Sequence, residues 1–290
     1  MAKIAAELEQ AVSRRSITGA SGQLSSRVLA AGEGWTVRDV ICSCGPQDRP
    51  FDEQHSGVSI AIVAAGSFQY GWGNAQELMT PGSIMLGNPG QGFKCGHEHA
   101  VGDRCISFQY SPDYFETIAS KSKFRVLRVP PLRDLSPLIT RACVSLAAGA
   151  ATNWEELSIQ LAARTVELNS GISPGQRTVT AAALARVTRV LRMIERHPSA
   201  GLEISTLARE ARLSPFHFLR AFHQVTSMTP HQYVVRSRLR EAAARLSTET
   251  SRILDIAFDC GFGDVSNFNR AFRAEFGQNP RAYRRLTKRL

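Results

Sequence analysis

Residues 256–284 read IAFDCGFGDVSNFNRAFRAEFGQNPRAYR, and this stretch decides the fold of the C-terminal part of the chain. A short apolar segment ends near Gly261, and in the longer segment that follows Phe268 and Phe272 are four residues apart. That spacing places both rings on one face of a helix, where they pack into a core. The stretch therefore predicts two helices separated by a tight turn.

The same pattern occurs fifty residues earlier, so the chain contains an internal repeat. The segment FHFLRAFHQVTSMTPHQY at 216–233 aligns with SNFNRAFRAEFGQNPRAY at 266–283. Identical pairs in this alignment include Phe218 and Phe268, Arg220 and Arg270, Phe222 and Phe272, Pro230 and Pro280, and Tyr233 and Tyr283. The repeat predicts two copies of one structural unit.

The first copy opens with a predicted helix in ISTLAREA, which breaks at Arg212 and Leu213. Ser214 and Pro215 then mark the start of a second helix, because serine accepts a hydrogen bond from a free backbone amide and proline lacks that amide. Helix, tight turn and helix is the geometry that places the second helix in the DNA major groove. The segment 231–249 predicts one long helix, which would hold the two second helices about 34 Å apart, one turn of DNA.

The charge of the chain is concentrated in the same region. Residues 177–290 contain 20 Lys and Arg against 9 Asp and Glu, whereas residues 1–176 contain 15 against 16. Nineteen of those 20 cations are arginine, whose planar guanidinium suits phosphate oxygens and guanine edges. Nucleic acid is the predicted partner, with an acidic protein or an anionic lipid as alternatives.

On these residues, the region from 185 to 287 resembles the DNA-binding domain of the AraC/XylS family of bacterial transcription regulators. The resemblance implies a regulator that binds double-stranded promoter DNA, forms a homodimer and has RNA polymerase as a candidate further partner. It also implies which exposed residues of the two second helices face bases: Phe216, Leu219, Arg220, Val265, Ser266, Asn269 and Arg270. Ser214 and Arg281 are assigned to phosphates.

The side chains at these positions predict different contacts. Arg220 suits guanine, and Asn269 suits adenine or a phosphate. Leu219 and Val265 depart from the polar residues often found in the family, which predicts contacts with thymine methyl groups or weak discrimination between bases.

The N-terminal part predicts an antiparallel β-sandwich or barrel from about 35 to 110, because short apolar runs alternate with Gly, Pro and Asn turns. Helical periodicity follows from 111, and these helices either cover the sheet or form a dimer interface. The expected fold is therefore α+β, with the β-barrel or sandwich and its helices first and an all-α domain of two helix-turn-helix units joined by a long helix after it. The predicted domains are 1–172 and 183–290, with a linker at 173–182.

The segments at 55–71 and 80–99 resemble the cupin-like sensor domain found in many members of the family. Metal-binding cupins carry two histidines and a glutamate in the first of these motifs, whereas here His55 is followed by Ser56 and Gly57. The triad is incomplete, so the chain is not expected to be an enzyme. A cupin-type metalloenzyme with a DNA-binding tail is the alternative.

Cysteine and histidine are concentrated in KCGHEHAVGDRC at 94–105 and in the C-x-C of Cys42 and Cys44. Thiolate and imidazole suit Zn²⁺ or another thiophilic metal ion as a cofactor. If 96–104 is a hairpin loop, Cys95 and Cys105 are opposite each other on neighbouring strands. The candidate ligands are Cys42, Cys44, Cys95, His97, His99, Cys105 and His55.

Three other interpretations of the N-terminal part remain open. The same thiols suit a redox sensor, because histidine and nearby Arg104 would lower a thiol pKa. The cluster could instead be inert, with a small organic effector bound in the sheet cavity. The N-terminal part could also serve only to dimerise a constitutive DNA-binding protein.

The expected location is the cytosol, with no membrane partner. No apolar run approaches the roughly 20 residues needed to span a bilayer, and the N-terminal residues do not form a secretion signal. The six cysteines are therefore expected to be reduced.

Overall fold

The computed structural model describes residues 2–73, 75–98, 101–119, 122–148, 152–172 and 179–287. The chain divides into two compact units. One comprises Lys3–Ala142 and Asn153–Thr178, and the other comprises Met1–Ala2, Cys143–Thr152 and Val179–Leu290. Residues 173–178 of the predicted linker lie outside the described residues, and Ala181 already begins a helix.

The first unit contains two antiparallel sheets. Their strands are β1 (Leu24–Gly32), β2 (Trp35–Cys42), β3 (Phe51–Gln54), β4 (Val58–Gly66), β5 (Phe68–Trp72), β6 (Ala75–Met79), β7 (Ile84–Gly87), β8 (Gly92–Gly96), β9 (Asp103–Tyr110) and β10 (Arg128–Val129). One sheet has the order β1-β2-β9-β4-β7-β10 and the other the order β3-β8-β5-β6. Antiparallel strands in the N-terminal part, followed by helices, are therefore confirmed.

A buried core lies between the two sheets. Val63 of β4 and Cys105 of β9 come from the six-stranded sheet, and they share one cluster with Phe68, Tyr70 and Met79 of the four-stranded sheet. Successive side chains of a strand point to opposite faces, so the neighbours of Cys105 on β9 lie on the outer face of the six-stranded sheet.

Helices accompany the sheets in this part of the chain. They are α1 (Ala2–Thr18), α2 (Pro112–Ala119), α3 (Ser136–Ala148) and α4 (Trp154–Gly171). The Asn153 side chain caps the start of α4 by accepting a hydrogen bond from the Glu156 backbone amide at 3.1 Å. On the outer face of the sheet, Tyr110 of β9 donates its hydroxyl to the Ser158 carbonyl of α4 at 2.9 Å.

Arg104 fastens α1 to the outer face of the same sheet. Its Nε lies 2.9 Å from Asp39 Oδ1, and its Nη2 lies 2.7 Å from Glu7 Oε2. Its Nη1 also donates to the Ile4 carbonyl at 3.3 Å. A buried arginine needs such partners to offset its desolvation. Arg104 thus points away from the thiol of Cys105, so the expectation that it lowers a thiol pKa there is wrong.

In its described part, the regular secondary structure of the second unit is all helical. Its helices are α5 (Ala181–Arg196), α6 (Ile204–Glu210), α7 (Pro215–Thr226), α8 (Pro230–Thr248), α9 (Ile253–Asp259), α10 (Val265–Phe276) and α11 (Pro280–Thr287). Both ends of α7 and α10 are fifty residues apart, as are the starts of α8 and α11. The sequence repeat is therefore a repeat of helices. None of the described helices has the length and hydropathy needed to cross a membrane.

The two copies share the same turn between their helices. Leu213 donates its backbone amide to the Ala208 carbonyl, and Phe262 donates to the Ala257 carbonyl in the same way. The residue before each donor has a positive φ, 53° at Arg212 and 87° at Gly261. The connection from this turn to the next helix is one residue longer in the second copy. Leu213 and Phe262 are 49 residues apart, whereas the starts of α7 and α10 are fifty residues apart.

The paired phenylalanines fill the cores of the two copies. Phe218 and Phe222 of α7, like Phe268 and Phe272 of α10, are fully buried. This confirms their predicted packing role. Cys260, which caps the C-terminal end of α9, is also buried in an apolar cluster.

The turn at Gly261 tolerates no side chain. A Cβ there would lie 2.7 Å from the Ser199 Cα and 2.8 Å from the Ser199 oxygen, whereas a Cβ at Gly277 would meet nothing within 4 Å. Both glycines have φ values near the left-handed region. In addition, Arg238 donates to the Gly261 carbonyl at 2.7 Å and to the Pro198 carbonyl at 2.7 Å.

We expect Gly277→Ala to lower the free energy of unfolding by about 1 kcal/mol, from backbone strain alone. Gly261→Ala should cost about 2–4 kcal/mol, because the clash with Ser199 adds to the same strain. Urea denaturation of the two variants measures the difference. Equal losses would contradict the close backbone approach at Gly261.

Candidate nucleic-acid interface and cysteine cluster

The second copy presents a groove beside the N-terminal end of α10. Its walls come from α9, α10 and the start of α11, and its lining residues are Ile253, Leu254, Val265, Asn269, Arg270, Arg273, Ala274, Asn279, Pro280 and Arg281. The structure thus brings together four of the predicted contact residues, Val265, Asn269, Arg270 and Arg281. Ser266 is exposed on the same helix but is not part of the lining.

Two polar residues of the groove, Arg273 and Asn279, were not predicted from the sequence. Arg273 lies one helical turn beyond Asn269 and Arg270 and is exposed. Asn279 caps α11, where its Oδ1 accepts from the Ala282 backbone amide at 2.8 Å. The spacing of three and four residues along α10 was a sufficient signal for Arg273.

The first copy presents a different surface at the equivalent positions of α7. Phe216 is 71% exposed and Leu219 is 40% exposed. Arg220 beside them is exposed as well. Ser214 caps the helix by accepting from the His217 backbone amide at 3.4 Å, which confirms the predicted helix start.

The repeat aligns these two surfaces residue by residue. Phe216 and Leu219 of α7 occupy the positions of Ser266 and Asn269 of α10. The arginine that follows is the same in both copies. One helix therefore presents apolar groups beside its arginine, and the other presents hydroxyl and amide groups.

In the first unit, Cys42, His97 and Asp103 form a compact buried group. Strand pairing places Cys42, the last residue of β2, directly opposite Asp103, the first residue of β9. His97 follows β8 of the other sheet, and its Nε2 lies 2.7 Å from Asp103 Oδ2. One potential ligand atom from each of the three residues lies within 4.8 Å of the others.

Asp103 was not among the candidates from the sequence, although it precedes Cys105 by two residues and so shares its face of β9. The Cys105 thiol donates to Asp103 Oδ1 at 3.3 Å. Cys44, two residues after Cys42, is buried as well.

The predicted hairpin between Cys95 and Cys105 is wrong. Cys95 lies on β8 of the four-stranded sheet, where it pairs with Tyr70 and Phe51, whereas Cys105 lies on β9 of the six-stranded sheet. The chain crosses from one sheet to the other between them. Both cysteines still contact the core cluster between the sheets.

His55 does not join the buried group. Its Nε2 lies 2.8 Å from the Tyr70 hydroxyl, and its ring stacks on Phe93 at 4.3 Å between centroids. Burial lowers the pKa of His55 to about 4, so the ring is neutral at physiological pH. The interaction with Tyr70 and the stacking on Phe93 account for the burial of this histidine without a metal ion. His99, the remaining candidate ligand, lies outside the described residues.

Asp48 supports the loop after β2 that carries Cys44. It accepts hydrogen bonds from the backbone amides of Gly45 at 2.7 Å and Gly22 at 3.1 Å. Arg15 of α1 lies 2.7 Å from the same carboxylate. These bonds hold the pKa of Asp48 below its usual value although burial opposes them. The loop is therefore fixed against both α1 and the chain before β1.

The C-terminal part of the chain matches known proteins. A family model described as a helix-turn-helix domain matches residues 207–286. The regulatory protein SoxS of Salmonella typhimurium is 34% identical over 98 residues, which are 34% of this chain and 92% of SoxS. The chain belongs to the AraC/XylS family of transcription regulators.

Two further matches are to a regulator and to a solved structure. The transcriptional activator RhaS of Klebsiella pneumoniae is 36% identical over 100 residues, or 34% of this chain and 36% of RhaS. The chain therefore spans about a third of the length of this AraC/XylS relative. The crystal structure of the AdpA DNA-binding domain with a target DNA covers 36% of this chain and 94% of that chain, at 27% identity and a TM-score of 0.35. The matched relatives are regulators rather than enzymes.

The thiols of this AraC/XylS protein are poor nucleophiles in the metal-free state. Burial raises the pKa of the thiols of Cys42, Cys95 and Cys105, and the negative charge of Asp103 raises each of them further. Because the thiolate is the reactive form, neutral thiols do not suit the redox alternative.

We expect Cys42 and Cys105 of the metal-free native protein to react with iodoacetamide at about pH 8 at least about tenfold more slowly than in urea. Burial and the high thiol pKa are the reasons. Mass spectrometry of the labelled peptides gives the rate at each cysteine. Labelling of either residue as fast as a free thiol would restore the redox interpretation.

Proposed function

We propose that this chain regulates transcription by binding promoter DNA in a sequence-specific manner, with α7 and α10 as its recognition helices. The observation that carries the proposal is the structural repeat. Each of the two helices buries a pair of phenylalanines and exposes an arginine at the same position, Arg220 in one and Arg270 in the other. A short helix and a tight turn precede each of them, the arrangement used to enter a major groove.

The charge of the C-terminal part supports the same proposal. Its excess of positive charge comes almost entirely from arginine, and such a surface gains affinity by releasing counterions from DNA phosphates. The groove beside α10 adds Arg270, Arg273 and Arg281 within a small area. Nucleic acid is therefore favoured over the other anionic partners that the charge alone would allow.

The groups lining the groove divide into two roles. Arg270 and Asn269 lie near the start of the recognition helix, from which long polar side chains reach base edges. Arg281 and Asn279 lie at the start of α11, where the guanidinium of Arg281 and the side-chain amide of Asn279 suit a phosphate. Arg273 is assigned to a phosphate as well, because it lies a full turn further from the helix start.

The first recognition helix reads DNA with a more apolar surface. Phe216 and Leu219 have no hydrogen-bonding group, so in a major groove they suit thymine methyl groups. Arg220 is then the polar reader of this helix. In this proposal α7 depends on contacts with methyl groups, and α10 depends on hydrogen bonds.

The N-terminal unit is the proposed sensor of a signal. Its two sheets enclose the described group of Cys, His and Asp residues whose atoms are close enough to hold a metal ion. Homodimerisation and contact with RNA polymerase remain predictions from the family resemblance. An organic effector remains the alternative signal.

We expect Arg220→Ala and Arg270→Ala each to weaken binding to a preferred DNA site by about 1–3 kcal/mol, with little change on unrelated DNA. Loss of a bidentate contact to a base is the reason. Duplexes selected by the wild-type protein from a random pool provide the site, and fluorescence anisotropy gives the dissociation constants.

Arg14→Ala is the matched control, because Arg14 is an exposed arginine on α1 in the other unit. This variant should bind both DNAs as the wild type does. Equal losses on preferred and unrelated DNA would show that Arg220 and Arg270 contact phosphates, and no loss in either variant would contradict the assignment of the recognition helices.

Arg281→Ala should weaken binding to preferred and unrelated DNA equally, because a phosphate carries no sequence information. The slope of log affinity against log salt should become less steep by about 0.9, the change for one phosphate contact. Titrations at several salt concentrations measure this slope. A sequence-dependent loss with an unchanged slope would contradict the phosphate role.

A further inference from the structure

The buried group at the end of the two sheets has the composition of a metal site. We propose that Cys42, His97 and Asp103 bind a thiophilic divalent cation of the Zn²⁺ class between the two sheets. This ligand set differs from the one predicted from the sequence, since it contains Asp103 and lacks His55. The proposal concerns the N-terminal unit and does not depend on DNA binding.

The distances suit a cation with small adjustments of the side chains. Zn²⁺ lies about 2.0–2.3 Å from nitrogen, oxygen or sulfur ligands, so neighbouring ligand atoms of a tetrahedral site are about 3.3–3.8 Å apart. The three donor atoms already lie within 4.8 Å of one another. His97 and Asp103 are hydrogen-bonded to each other, and a cation would replace the proton that they share.

The charges of the three ligands favour a divalent ion. One thiolate and one carboxylate carry two negative charges, and the imidazole is neutral, so together they balance the two positive charges of the cation. A cation neutralised in this way can be buried in surroundings of low polarity. The chemical types of the ligands then determine which divalent ion binds best. Mg²⁺ and Ca²⁺ require more oxygen ligands than this group offers, whereas sulfur and imidazole suit Zn²⁺ and its neighbours.

The surrounding contacts hold the ligands in place. The Cys105 thiol donates to Asp103, in the manner of groups that orient metal ligands from behind. Gly102 donates its amide to the Cys44 carbonyl at 2.8 Å, and it has a φ of 73°. A Cβ at Gly66 would lie 2.3 Å from the Gly102 oxygen, so β4 also approaches the start of β9 too closely for a side chain.

A purely structural role does not explain the thiols. The bond between His97 and Asp103 needs no cysteine to satisfy it, yet Cys42 lies opposite Asp103 and the Cys105 thiol donates to Asp103. Of the other four cysteines, Cys44 and Cys95 lie in the same compact unit as this pair, whereas Cys143 and Cys260 belong to the other unit. A neutral ligand such as a water molecule in the fourth position of a tetrahedral site keeps the charges of the ligands and the cation balanced.

The direct test is a titration of the full-length protein with ZnCl₂. The protein is first treated with chelator and reductant, and a chromogenic chelator then competes for the metal. We expect about one equivalent to bind tightly. Co²⁺ in place of Zn²⁺ should give a sulfur-to-cobalt charge-transfer band in the near ultraviolet, because Cys42 is a ligand. Absence of tight binding, or of that band, would overturn the proposal.

Substitutions identify the ligands. Cys42→Ser, His97→Gln and Asp103→Asn should each weaken Zn²⁺ binding by about tenfold or more. The charge-transfer band should disappear or weaken in Cys42→Ser and persist in Asp103→Asn, a difference that a structural role would not produce. Cys44→Ser and Cys105→Ser, made separately, should weaken Zn²⁺ binding less than Cys42→Ser does, because neither thiol is a proposed ligand.

Cys260→Ala is the matched control, because it removes a buried cysteine of the other unit. It should leave Zn²⁺ affinity unchanged, and a loss equal to that of Cys42→Ser would show adventitious binding by thiols and overturn the proposal. Circular dichroism and DNA affinity show whether each variant is folded. If the ligand variants unfold, the Co²⁺ spectrum of the wild type still decides the matter, and DNA affinity tests the proposed regulator independently.

Discussion

Burial of two phenylalanines in each of α7 and α10 determines what the rest of the C-terminal part can do. A buried Phe contributes about 1.5–3 kcal/mol to the free energy of unfolding. The pair in α7 therefore outweighs the roughly 1–2 kcal/mol that a positive φ costs at Arg212. The pair therefore fixes the rotation of its helix about the helix axis. Once Phe218 and Phe222 face inward, Phe216 and Arg220 must face outward. The exposed surface of each helix is a consequence of the core.

The accuracy of sequence-based prediction differs between the two parts for physical reasons. The start of α7 depends on its immediate neighbours, Ser214 and Pro215, so local chemistry was sufficient to locate it. The sheet depends on which distant strands pair, and short apolar runs do not specify this. The expected hairpin of Cys95 and Cys105 failed for that reason. Asp103 was missed because a carboxylate next to an arginine resembles an ordinary surface pair.

The exposed surface of α7 and α10 contrasts with the β unit in its charged groups. The helical unit leaves its arginines exposed near the recognition helices, where they remain available to a polyanion. The β unit buries several charged groups, and each of them has a partner, as Arg104 has in Asp39 and Arg128 has in Glu77. A buried charge without a partner would destabilise the fold by several kcal/mol. The group around Asp103 follows the same rule, with His97 as the partner and a cation as the proposed replacement for the shared proton.

The difference between the exposed faces of α7 and α10 gives the bound chain a direction. Two identical recognition helices related by symmetry read a palindrome, which is the same from either end. Here Phe216 and Leu219 stand where Ser266 and Asn269 stand in the other copy, so a DNA site contacted by both helices of one chain reads differently from its two ends. Reversing that site relative to a gene would turn the whole regulator around and present the opposite side of the protein to the transcription start.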